Sequence, residues 1–395
     1  MNDSSTTPRG LLPLTAILFL SYLCVGLSLT SVSLQVTRHL GLANAWSGLA
    51  VGIAFVATVL TRGLAGRVCD QRGPKVAVTR GLAAYVAGLA IAALAGAAAS
   101  TPVLAFAVLV AGRAVLGLGE SLVTVGVVAW GIGLAGAPQS GRVLAWVGAA
   151  LYGAVAAGGP LGMLLVDHVG FAATMGLGAV LPALGLAAAV RLRGVAPLAG
   201  AARPSLWRVV GRVGRHGAVV CLQGIGFAAI GAFFALHFVR QHWPFAGLGL
   251  TAFGGGFVLV RVLFGQWPDR FGGLPVAIVS LVVETAGQCL VWSAQGPAGA
   301  LAGAFLTGLG CSLVFPAMGR EVVRVVEPHL RGTALGAFAA FQDVAYALTG
   351  PLAGLLADAA GVRSVFLLGA GAAALGLALA LAAGLRRGAA VSAPA

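Results

Sequence analysis

Apolar runs long enough to cross a lipid bilayer recur along almost the whole of this chain, and they restrict its fold more than any motif does. Covering the hydrocarbon core takes roughly 20 residues of helix. Twelve such runs are read at 11–35, 44–65, 76–99, 103–131, 142–166, 171–191, 216–239, 245–266, 274–294, 298–320, 333–357 and 364–385. A helix satisfies its own backbone hydrogen bonds in a solvent that offers none, and the alternating pattern of barrel strands is absent. Only 9% of residues are charged and the mean hydropathy is +1.00, against a charged share of about 25% in soluble domains. The expectation is an all-α membrane protein with twelve transmembrane helices. The first run has no small-residue cleavage site after a short core, so it is read as a retained span rather than a signal peptide.

The net charge of +14 would point to nucleic acid in a soluble protein, but the placement of the basic residues argues otherwise. With the N-terminus in the cytoplasm, twenty of the 24 Lys and Arg fall on that side; Arg38, Arg240 and Arg363 fall opposite, and Arg113 lies within a span. This is the positive-inside pattern, so the surplus sets topology and meets anionic lipid headgroups; no nucleic-acid partner is expected. Both termini are placed in the cytoplasm. Five cysteines in or beside spans imply no disulfide framework. No Cys/His cluster has metal-ligand spacing and no phosphate-binding Gly-x4-Gly-Lys-Ser/Thr loop occurs, so no metal, cofactor or ATP-driven step is expected.

Two echoes divide the chain. Arg62-x3-Gly66-x3-Asp70-x2-Gly73 returns 199 positions later as Arg261-x3-Gly265-x3-Asp269-x2-Gly272. Gly159-Pro160-Leu161 with Asp167 and Gly170 returns 191 positions later as Gly350-Pro351-Leu352 with Asp358 and Gly361. Registered Asp and Pro carry the weight, since Leu, Gly and Ala are common here. The chain is read as two pseudo-symmetric six-helix bundles. The tail is 1–10, the first bundle 11–191, an Arg-rich cytoplasmic linker 192–215, the second bundle 216–385 and the C-terminal tail 386–395. Residues 207–215 suit a short basic amphipathic helix on the membrane surface, or a solvated linker.

The loop Gly66-x3-Asp70-x2-Gly73-x-Lys75, lying between the second and third spans of its half and echoed in the other, resembles the signature of the major facilitator superfamily over 11–385. The second copy departs from it by ending in Gly272-Gly273 without a basic residue. Two glycines permit a tight turn, and Asp70 amid Arg62, Arg67 and Arg72 can form charge-assisted hydrogen bonds. The resemblance implies a conformational latch at Arg62, Gly66, Asp70, Gly73 and Lys75, repeated at Arg261, Gly265, Asp269 and Gly272. The plain alternative is a turn with topogenic arginines.

In span four, Arg113 and Glu120 stand seven residues apart, two turns along one helical face. A charge at mid-membrane costs at least ~2.5–3.5 kcal/mol unless paired or facing water, so it is expected to point into the bundle and to mark function. Arg113-x3-Gly117-x-Gly119 resembles the superfamily motif associated with proton coupling in antiporters, and Glu120 adds a group able to exchange a proton; a static ion pair is the competing reading. Gly308-Leu309-Gly310-Cys311-Ser312-Leu313 keeps the frame of Gly117–Leu122 without the charges. Asp343 in span eleven, register-mate of Tyr152 in span five, is the next proton-coupling candidate.

A polar stripe of Ser21, Cys24, Ser28, Ser31 and Gln35 in span one suits a cavity wall or close helix packing. Gln223, Phe227, Phe234 and His237 share a face of span seven; with Tyr152 and Tyr346 these side chains complete the expected substrate cavity. Gly159-Pro160 partly resembles an antiporter-associated motif, but its return at Gly350-Pro351 fits a general helix hinge as well. Glu284 with Gln288 in span nine is expected to bond a neighbouring helix or a second copy, since the equivalent superfamily span is peripheral. The stretch Gly117–Leu122 leading to Ala129-Trp130-Gly131 is similar to arabinose-efflux-like and sugar-efflux-like bacterial permeases. The chain therefore reads as a monomeric secondary transporter of the bacterial cytoplasmic (inner) membrane that exchanges protons for a small organic solute, sugar-like, organic acid or drug, by alternating access. Import by proton symport uses the same parts, and a non-transporting membrane sensor is the remote alternative.

Overall fold

The computed structural model describes residues 11–97, 101–136, 139–197, 207–327 and 331–392. The expected N-terminal tail and the middle of the linker lie outside these residues. Every regular element among them is helical: α1 Leu11–Leu34 with a π-helical extension Gln35–His39, α2 Asn44–Arg72, α3 Pro74–Ala97, α4 Pro102–Ala135, α5 Ser140–Arg191, α6 Trp207–Arg240, α7 Leu248–Phe264, α8 Trp267–Phe271, α9 Gly273–Ser293, α10 Pro297–Val325, α11 Arg331–Ala360 and α12 Ser364–Ser392.

All twelve expected spans find a helix. Spans five and six are the two arms of α5, which leaves helical geometry at Gly170 (φ 78°, ψ 170°). The break falls there and not at Gly159-Pro160, because Pro160 is accommodated inside the first arm whereas only glycine takes that φ without strain. Its echo Gly361 turns at φ 82°, and the loop echo behaves alike: Gly73 and Gly272 sit at φ 89° and 95°. The repeated glycines are thus repeated chain reversals. In α2 the helix runs unbroken through Cys69 to Arg72, whereas its counterpart stops at Phe264 and restarts as α8, whose Pro268 occupies the register of Cys69 and donates no backbone hydrogen bond.

The chain divides into two compact units, 1–201 and 202–395. In the first, α1 packs on α5 and α3 packs on α4, with α2 against α4. Close approach is made by glycine: a Cβ on Gly88 of α3 would lie 2.7 Å from the Gly112 carbonyl and the Leu116 nitrogen of α4. In the second unit α9 packs on α10, α6 on α11 and α7 on α10. Gly287 of α9 meets α10 in the same way, 2.5 Å from the Thr307 nitrogen. Small residues at such crossings let backbones touch where lipid offers no hydrophobic drive for helices to associate.

Two expectations fail here. Residues 207–215 are not a separate surface helix: α6 begins at Trp207 and continues through the span without interruption. Val213 is buried in the core of the second unit with Val219, Val220 and Phe338, which holds the basic turns against the bundle. At the other end, α12 extends to Ser392, past the expected limit of 385.

Candidate functional site

The polar centre of the first unit is built on α4. Arg113 and Glu120 face inward, 1% and 6% exposed. Arg113 donates from Nη1 to Ser28 Oγ at 2.7 Å, from Nε to the Ala50 carbonyl and from Nη2 to the Val51 carbonyl, both at 3.2 Å. One guanidinium therefore ties α4 to α1 and α2, using the planar fork that lysine lacks. Glu120 lies within electrostatic reach of Arg113, yet its carboxylate accepts the Tyr22 hydroxyl at 2.7 Å. Tyr85 of α3 and Cys24 of α1 are also buried within electrostatic reach of Glu120. Between the two charges, Thr58 of α2 donates at 3.0 Å to the Gly117 carbonyl, where the missing side chain lets α2 approach.

The stripe on α1 is buried throughout. Ser28 receives Arg113, and Ser31 donates to the Leu27 carbonyl at 2.7 Å and to that of Gly162 at 3.5 Å. Ser21 and Cys24 turn back on the carbonyls of Leu18 and Ser21. Gln35 is buried in the π-helical extension, and Tyr152 on α5 is half-buried. Gly159 accepts from Thr30 at 3.4 Å, beside Pro160, so the α5 segment rests directly on α1.

The first loop positions α5 as well. Lys75 Nζ donates to the carbonyls of Val190 and Leu192 at 2.8 and 2.7 Å, satisfying the exposed C-terminus of α5. Trp130 Nε1 holds the Arg193 carbonyl at 3.2 Å. Asp70 lines a cavity of about 310 Å³ closed by Pro74, Gly133 and Val195. Arg62 and Gly66 lie on α2 just before the turn.

In the second unit the expected residues separate into distinct neighbourhoods. Asp343 is 8% exposed on α11. Beside it, Gln342 Nε2 donates to the Tyr346 hydroxyl at 2.7 Å, and the Tyr346 ring meets Phe227 edge-on with centroids 5.0 Å apart. Phe234 instead stacks on Phe238 at 4.5 Å, and His237 joins that cluster against Trp243 and Phe366. Gln223 is buried elsewhere on α6, near Cys311. Gly350 and Pro351 lie inside α11 without ending it.

The second loop is wired differently from the first. Asp269, its side chain 84% exposed, stands 3.7 Å from Arg320. Arg261 donates to the Ser312 carbonyl at 2.7 Å and covers the Phe257 ring. Gly265 ends α7 and Gly272 opens α9. The acid at the core of this loop is Glu321, buried on α10, which accepts from the Gly273 amide at 3.1 Å and lies 3.7 Å from Arg324.

Sequence reasoning passed over Tyr22, Tyr85 and Glu321. A hydroxyl-bearing ring inside a lipid span was the available signal for both tyrosines. For Glu321 the register helps, since it occupies the place that Trp130 holds in the first unit. Of the two alternatives expected for Glu284 and Gln288, a neighbouring helix and a second copy, the structure shows the first: Glu284 is buried within the second unit against Gly226 of α6 and Gly310 of α10, and Gln288 donates to the Gly226 carbonyl.

A family profile described as Major Facilitator Superfamily matches residues 14–244 and 217–394. The chain belongs to the major facilitator superfamily. It is similar to an uncharacterized MFS-type transporter of Salmonella typhimurium, 44% identical over 374 residues, spanning 95% of this chain and 96% of the relative. An uncharacterized MFS-type transporter of Burkholderia mallei is 42% identical over 385 residues, spanning 95% and 94%. Among solved structures, a mutant of the nucleoside transporter NupG shares the fold with a TM-score of 0.74 at 17% identity, over 94% of this chain and 99% of that one. The human organic anion transporter MFSD10 does so with 0.72 at 16%, over 95% and 100%. Membership in the superfamily makes the chain a multi-pass membrane transporter and not an enzyme. The Gly66–Lys75 turn and the α4 charges are thus features of a transporter's first unit.

Proposed function

We propose that this superfamily member is a proton-coupled secondary transporter of the bacterial cytoplasmic membrane, expelling a small organic solute by alternating access as a monomer with both termini in the cytoplasm. The observation that carries the reading is Glu120, an acid buried in mid-span whose carboxylate holds the Tyr22 hydroxyl while Arg113, on the same face, is fastened to Ser28 and the α2 carbonyls. Membrane spans retain ionisable groups chiefly where protons or solutes pass.

In this mechanism Glu120 alternates between carboxylate and acid. As a carboxylate it accepts from Tyr22 and attracts Arg113; as an acid it does neither as strongly. Because Tyr22 and Ser28 belong to α1 and the Ala50 and Val51 carbonyls to α2, each change of charge alters what holds three helices together. That is the differential contact a ligand needs to bias one conformation over another. Asp343 serves as the second acid, at a site where Gln342 and Tyr346 add polar contacts and Phe227 an apolar face. A partly apolar, hydroxylated or ionic solute suits such a lining. The loops at Asp70 and Asp269 act on the conformational equilibrium and not on the solute.

The test is proton movement in everted membrane vesicles, acidified inside and challenged with separate pools of sugars, organic anions, nucleosides and amphipathic drugs. Alkalinisation by one pool, lost in Glu120→Gln and in Asp343→Asn, supports proton-coupled export and names the solute class. Unchanged coupling in both variants refutes the assignment, and proton flow in the opposite sense means import.

A further inference from the structure

The duplication that relates the two units also relates two buried acids, and they stand on different helices. At the offset of 199, Tyr85 of α3 corresponds to Glu284 of α9; at the offset of 191, Glu120 of α4 corresponds to Cys311 of α10. Packing agrees with both registers. A Cβ on Gly119 would lie 3.0 Å from the Tyr85 nitrogen, and one on Gly310 would lie 2.7 Å from the Glu284 Cα. Each unit therefore places one carboxyl in the same inter-helix seam. In the first it comes from α4 and looks toward Tyr85; in the second it comes from α9 and looks toward Cys311.

The surroundings of the two acids differ in one decisive respect. Glu120 shares its helix face with Arg113, whereas the position of Arg113 is taken in the second unit by Ala304. Glu284 is 0% exposed, and among the described residues no N–H or O–H donor reaches either of its oxygens. From α10 the titratable group facing it is the Cys311 thiol, a weak donor. From α6 it meets the Gly226 backbone and, among the described residues of α12, no charged group; Asp269 and Arg270 on α8 belong to the loop. The charged side chains of α10 begin at Arg320, nine residues and about 13 Å along the helix from Cys311. Gln288, one turn on, donates its Nε2 to the Gly226 carbonyl at 3.1 Å, while its own Oε1 and that of Gln223 lack a donor. The cluster is rich in buried acceptors and short of hydrogens.

We propose that Glu284 is a further proton-binding site, held as a neutral carboxylic acid in the α9–α10 seam of the second unit. An isolated carboxylate buried without a cation costs far more than a protonated one, and the acid hydrogen supplies a strong donor where this cluster is dominated by acceptors. A proton rather than a metal cation fits the space: Oε1 already lies 2.6 Å from where a Gly226 Cβ would stand, so α6 backbone fills one side of the carboxyl. Exchange of that proton requires the seam between α6, α9 and α10 to part, which links occupancy of the site to the conformation of this unit. The proposal goes beyond the role given to Glu120 and Asp343, and its test needs no transported solute.

The test is infrared difference spectroscopy of the full-length protein in lipid nanodiscs with isotope-labelled glutamate. At neutral pH the parent protein should show a carboxylic-acid carbonyl band that disappears in Glu284→Gln, persists in Glu120→Gln and shifts in Cys311→Ala. Superimposable spectra of the parent and Glu284→Gln in the acid region overturn the proposal, as does loss of the band when sodium replaces potassium at constant pH. If Glu284→Gln does not fold, Cys311→Ala decides: a shifted acid band supports proton binding, and an unshifted spectrum overturns it.

Discussion

Arg113→Met isolates what the buried guanidinium does. Methionine has comparable reach and no charge, so the substitution deletes the hydrogen bonds to Ser28 at 2.7 Å and to the Ala50 and Val51 carbonyls at 3.2 Å without opening a large cavity. The two carbonyls sit within α2 and keep their helical donors, so the main damage falls on Glu120, left buried without the cation on its own helix face. Removing one partner of a buried charge pair costs about 3–5 kcal/mol. Adding Glu120→Gln takes away the remaining buried charge, and the double variant should be more stable than the sum of the single losses by about 1–3 kcal/mol, the range for coupled neighbours. The assay is reversible unfolding in mixed detergent and dodecyl sulfate micelles, followed by tryptophan fluorescence for the parent, both single variants and the double. An Arg113→Met protein within about 0.5 kcal/mol of the parent, or single losses that add to within the same margin, would refute the reasoning.

The glycine crossings give a second prediction: Gly88→Ala and Gly287→Ala should each destabilise by about 1–3 kcal/mol, since the added methyl meets backbone across the seam. Gly176→Ala, which faces open space, should leave the thermal melt unchanged. Lys75→Met should release the end of α5, because the ammonium that satisfies the Val190 and Leu192 carbonyls is gone. Faster amide exchange at 190–196, with the α3–α4 seam unaffected, is the expected result.

Several features of the fold were legible in the chain alone. Membrane spans, their number and the division into two halves follow from apolar length and from echoes anchored by Asp and Pro. Both echoes end on glycines that turn at positive φ, so their recurrence was a statement about chain reversal. The inward direction of Arg113 and Glu120 was also legible, because two charges on one face of a lipid span have nowhere else to go. The separation of Phe227 from Phe234 and His237 was not. Those side chains share a helical stripe, yet one meets Tyr346 of α11 while the others enter a cluster with Trp243 and Phe366.

The sequence by itself determined that the chain dissolves in lipid, how often it crosses and where it reverses, since those depend on hydrocarbon thickness and backbone sterics. For spans without such a pair of charges, only the tertiary structure decided which face looks inward. In a soluble helix the apolar stripe marks the core, but in a bilayer both the lipid and the protein interior are apolar, and the stripe loses its meaning. Glu284 shows the consequence: its span reads alike on every side, and the crossing of α9 over Gly310 and Gly226 put its carboxyl inside the unit.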